Sequence, residues 1–143
     1  MDQYQTLTYL QTALNTNAIY TFSDFFILWV AFRFAGRVRE GDGTLFAKVA
    51  TTLFGLMIIW QGMILFASRV FSLATAANAL RVLKTSGQTL STQAEAFLST
   101  PFVPPVDAQP QFNVFGDPIS VVFWLVVTVM LLGVVWMPVK KAG

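Results

Sequence analysis

From residue 119 to residue 137 the chain reads ISVVFWLVVTVMLLGVVWM, nineteen residues without a charge. A helix rises about 1.5 Å per residue and a bilayer's hydrocarbon core is about 30 Å thick, so a span needs about 20 such residues. A segment of this kind fits a membrane far better than a soluble core. The composition agrees: 55% of residues are hydrophobic and 11% are charged, against about 25% charged in soluble domains. Too few charges remain to cover a water-facing surface. The expected fold is an all-α integral membrane protein with three transmembrane helices.

Three spans are placed, the last over 119–137. Asp117 supplies a side-chain acceptor at the N-cap and Pro118 fits the first helical position. Trp136 is a candidate interface anchor and Trp124 a second one, whose depth in the span counts against that role, and a basic tail over 138–143, with Lys140 and Lys141, closes the far end. The second span covers 45–67, with Lys48 able to snorkel from its first turn. Beyond it Leu73, Ala76, Ala77, Leu80 and Leu83 keep helical spacing. The helix is therefore expected to extend over 68–86, past the bilayer, and to stop near Gly87. A break near Ser68, laying the second half on the membrane surface, is the alternative.

The first span, 19–38, is less simple, because Asp24 and Arg33 bracket its apolar middle. Nine residues of helix rise about 13.5 Å, so both charges cannot clear the hydrocarbon. Before it, 1–17 places Leu7, Leu10 and Leu14 on one face, with Asp2 and Gln5 at capping-box spacing. That pattern predicts a short interfacial helix. It lacks the basic start and long apolar core of a secretory signal.

Lys and Arg cluster in and beside the 39–44 loop (Arg33, Arg37, Arg39, Lys48) and in the tail, while the first seventeen residues have none. The positive-inside rule then puts the N-terminus outside and the C-terminus inside. The membrane would be a bacterial inner or an organellar one. The loop over 87–118 lies outside. It opens with a short helix near 93–99, for which Thr92 and Glu95 have capping-box spacing and Pro101 gives an end. Prolines then alternate with apolar residues, Val106 among them. Disordered segments are poor in aromatics, so Phe102, Phe112 and Phe115 are read as contacts for a partner chain.

Asp24 and Arg33 fall on opposite sides of their helix, about 180° apart, so they do not pair. Counting from the outer boundary brings Asp24 and Gln61 to similar depth, with Arg69 able to reach down. An intramembrane polar cluster of Asp24, Gln61 and Arg69 is expected. Arg33 snorkels the other way, and Arg37 and Glu40 follow on its face as an inner-surface charged patch. Thr51, Gly55 and Gly62 form a small-residue stripe on the second helix, continued by Arg69. Ala31 and Ala35 form a small pair on the first, and both suit close packing between spans.

There is no His and no Cys. That excludes thiol nucleophiles, disulfides, the usual zinc sites, His-ligated haem and a Ser–His triad. A net charge of +2 leaves no electrostatic footprint for nucleic acid. No phosphate-binding or dinucleotide motif occurs, and no catalytic constellation is present, so the chain is not expected to be an enzyme. No cofactor is called for beyond a structural lipid.

The expected function is that of a small accessory subunit of a multi-subunit membrane complex, with other integral membrane subunits or copies of itself, and lipid, as partners. Two alternatives stand beside it. One is a self-assembling pore: three short spans, an outside N-terminus and a basic tail resemble phage holins in outline, with no shared motif. The other is a small ion-coupled transporter using Asp24. No second acidic residue lies in any span to form a carboxylate relay.

Overall fold

The computed structural model describes residues 2–41, 43–105 and 109–138. Lys140, Lys141 and Val106 lie outside the described residues. Four helices follow in order: α1 (Gln3–Glu40), α2 (Leu45–Thr85), α3 (Thr92–Leu98) and α4 (Pro118–Trp136). No strand occurs among the described residues. Helices α1, α2 and α4 are each long and apolar enough to cross a membrane, and the chain is an integral membrane protein.

The first two helices are 38 and 41 residues long, about 57 and 62 Å, roughly twice the hydrocarbon thickness. The structure makes one helix of the segments expected as an interfacial helix over 1–17 and a span over 19–38. The reason is local: neither Gly nor Pro occurs before Gly36, so nothing in the sequence interrupts the backbone ladder. At its start, the Gln5 amide donates to Asp2 Oδ1 at 2.7 Å and the Asp2 amide donates to Gln5 Oε1 at 3.1 Å. Each side chain satisfies the other residue's backbone N–H, a complete capping box. Helix α2 likewise continues through Ser68, where the Ser72 hydroxyl donates to the Ser68 carbonyl at 2.9 Å. It ends at Thr85, and Gly87 follows with a φ of 87°, a conformation open to glycine. The Gln88 amide donates to Leu83 O and the Gly87 amide to Lys84 O, each at 3.2 Å, the pairing of a Schellman cap. Helix α4 starts as its sequence dictates: Asp117 Oδ2 accepts from the Ser120 amide at 3.1 Å, and Pro118 opens the helix.

The chain divides into two compact units. One comprises 20–65 and 115–143 and holds the second half of α1, the first half of α2, and α4. Its core is Leu28, Ala31, Ala35, Ile58, Ile59, Trp124, Val127, Leu131 and Val135. Outward, Phe22, Phe26, Met57, Val122 and Val129 are exposed, as befits a lipid-facing surface.

The other unit comprises 1–19 and 66–114. Leu80, Leu90 and Ala94 form its core, with Leu7, Leu83, Phe97 and Leu98 against them. The Ser91 amide donates to Gln3 Oε1 at 2.9 Å, tying the α3 start to α1. Ser91 is the N-cap of α3, its hydroxyl accepting from the Ala94 amide at 3.3 Å. The spacing had pointed to Thr92, one residue later, with Glu95 closing a box. Glu95 instead pairs with Lys84 at 2.8 Å.

Candidate functional site

Asp24 is 6% exposed, the most enclosed carboxylate among the described residues. Its place follows from small residues around it. Gly62 on α2 faces it: a Cβ added there would meet Asp24 Oδ2 at 2.7 Å, and Trp124 Cζ2 at 2.2 Å from α4. All three helices of the unit therefore converge at this carboxylate, and only the missing side chain at 62 lets them do so. Trp124, whose depth in the span counted against an interface role, is 2% exposed and part of the core. Phe25 stacks on it with ring centroids 6.1 Å apart, and Phe123 meets it edge-on at 5.1 Å. The indole Nε1–H of Trp124 is buried with no hydrogen-bond partner among the described residues.

Asp24 also lines a cavity of about 370 Å³ between α1 and α2. Tyr20, Ser23 and Gln61 supply the other polar atoms, and Ile27, Phe54, Met57 and Ile58 the apolar wall. The structure thus brings Asp24 and Gln61 to one cavity. Arg69 belongs to the other unit.

The remaining residues singled out in the sequence also have definite places. Ala31 and Ala35 are fully buried, and Thr51, the first residue of the stripe, is buried too. Gly55 lies against Leu131 of α4, where a Cβ would come within 2.2 Å of Cδ2. Arg33 sits over the Trp29 ring, 5.6 Å from its centroid, a cation–π arrangement. Arg33, Arg37 and Glu40 share a shallow pocket with Phe32 and Gly36. Phe112 meets Phe71 edge-on at 6.3 Å, Phe115 approaches Trp60 at 6.5 Å, and Phe102 is 76% exposed.

Two features have no clear sequence signal. Trp136 Nε1 donates to Thr52 Oγ1 at 3.0 Å, while that hydroxyl donates to the Lys48 carbonyl at 2.8 Å. A threonine that satisfies its own helix and accepts from another becomes a polar tie between α2 and α4. In the other unit Arg81 donates to the carbonyls of Pro104 and Pro105. Proline carbonyls are acceptors that no helix or sheet engages here, and only the fold reveals which cation reaches them.

What these observations define is an all-helical membrane protein with three helices long and apolar enough to cross a bilayer and a carboxylate enclosed where they meet. No family model, no curated protein and no solved structure matches the chain.

Proposed function

We propose that the protein is a small accessory subunit of a larger membrane assembly, which it joins through its proline- and phenylalanine-containing loop. One observation carries this reading: the loop is tied to α2 at Pro104, Pro105 and Phe112 while aromatic side chains face outward. Arg81 grips the carbonyls of Pro104 and Pro105, and Phe112 packs edge-on to Phe71. Phe102 and Phe112 nevertheless stay more than half exposed. Leaving large apolar rings in water costs about 25 cal/mol per Å², and a pinned strip has already lost the conformational freedom that binding would otherwise remove. Preorganised aromatic anchors are what protein interfaces use as hot spots.

The orientation proposed with this role has the N-terminus and the loop outside and the C-terminus inside. The span helices then contribute lipid-facing and partner-facing surface, and the loop contributes specificity. Extraction in a mild detergent followed by native gel electrophoresis tests the role. A fixed set of other proteins migrating with the chain is expected. A ladder of multiples of the chain alone points to a self-assembling pore and contradicts the proposal, as does migration as a monomer.

A further inference from the structure

The cavity beside Asp24 holds an unusual combination. A carboxylate more than nine-tenths buried forms part of its wall. No Lys or Arg lines the cavity it faces. A charge in an apolar helix bundle is costly, and an opposite charge beside it lowers that cost. At about 370 Å³ the space is far larger than a proton or a bare ion requires and falls within the range of small-molecule sites. Gln61, Tyr20 and Ser23 join the carboxylate as the polar residues of the lining. Its wall is hydrocarbon, from Ile27, Phe54 and Met57. Met57 is 73% exposed and Ile27 and Tyr20 are exposed as well, so the cavity opens sideways, toward lipid, between α1 and α2.

From this we infer that the cavity binds an amphiphile with a primary ammonium head and an alkyl chain. The ammonium places its N–H donors on the Asp24 carboxylate and the Gln61 carbonyl oxygen, and the chain lies along Ile27, Phe54 and Met57. A primary ammonium fits because it brings both the opposite charge and several donors. A neutral lipid would leave the carboxylate uncompensated. A quaternary ammonium would bring charge without donors. The ligand can be a free long-chain amine or an aminophospholipid headgroup, which share this chemistry.

The test uses the full chain in phosphatidylcholine nanodiscs with dodecylamine as probe, the one-to-one adduct being counted by native mass spectrometry. Dodecanol is the control with the same tail and no charge. The wild-type chain is expected to hold dodecylamine at least about tenfold more tightly than Asp24→Asn, since a charge-assisted hydrogen bond contributes that much. Dodecanol should bind both forms equally weakly. Met57→Trp keeps the carboxylate but fills the cavity mouth, and its exposed position spares the core; it too should lose the adduct. Added phosphatidylethanolamine that displaces dodecylamine identifies the lipid as the source, and failure to displace it identifies a free amine. Retention of the adduct by Asp24→Asn or by Met57→Trp overturns the assignment. So does dodecanol binding as well as dodecylamine.

Discussion

Gly62 and Trp124 share one volume: a Cβ on the glycine would stand 2.2 Å from the indole Cζ2 and 2.3 Å from Cη2. A few turns along, Gly55 stands equally close to Leu131 Cδ2. The two glycines differ in what would have to give way. Leu131 can turn a methyl aside, whereas the indole is a rigid plate clasped by Phe25 and Phe123. Overpacking of a close-packed core costs about 1–3 kcal/mol. Gly62→Ala is therefore expected near the top of that range and Gly55→Ala near the bottom, in reversible unfolding of the purified chain in mixed micelles. Equal losses at both positions would mean that the indole is not fixed.

The 66–114 unit makes a contrasting case. Leu80 is fully buried against Leu90 and Ala94, and truncating a buried leucine costs about 2–5 kcal/mol. Lys84 and Glu95 form an ion pair with both side chains about half exposed, and such pairs contribute about 0–1 kcal/mol. Hydrogen exchange at the amides of α3 reads the difference. Leu80→Ala should lower their protection strongly, while Lys84→Ala should leave it almost unchanged. A large loss in Lys84→Ala would show that the ion pair, not the apolar cluster, docks α3.

The proposed orientation is tested by cysteine labelling, for which the cysteine-free chain is a ready background. Cysteines at Gln3 and Gln109 should react with an impermeant reagent in intact cells. One at Lys141 should react only after permeabilisation. Labelling of Lys141→Cys from outside would reverse the orientation or remove a span.

How much of this was legible beforehand varies with the range of the interaction. Local signals read well. Asp117 with Pro118 marks the start of α4, Asp2 with Gln5 makes a reciprocal cap, and Gly87 ends α2, because each motif closes its hydrogen bonds within a few residues. At α3 the same kind of signal slipped by one. Ser91 and Thr92 both suit a cap, and Glu95 spaced correctly from Thr92 is drawn away by Lys84 eleven positions earlier. The continuity of α1 through Asn15 and Asn17 is not legible in the apolar pattern, which lapses there, although no Gly or Pro breaks the backbone. The glycine stripe showed which face of α2 is small but not that Leu131 and Trp124 of α4 fill it. The depth of Trp124 in its span argued against a place at the interface, but nothing in the sequence pointed to Gly62 as its neighbour. The Asp24 cavity was half legible: matching depths brought Gln61 to it, but the space between them depends on how α1 and α2 separate.

The loop's role rests on its exposed rings. Replacing Phe102, Phe112 and Phe115 together by Ser removes the anchors and leaves every span intact. The triple variant should insert normally but lose its co-purifying partners, whereas unchanged co-purification would reduce the loop to a linker.

The central claim, that this loop docks on a different membrane subunit, is tested most directly by placing a photoreactive benzoylphenylalanine at Phe102 and irradiating intact membranes. The account predicts one discrete cross-linked product of fixed mass that contains the chain and a second, different protein. Cross-links only to lipid, or only to another copy of the chain, would contradict it.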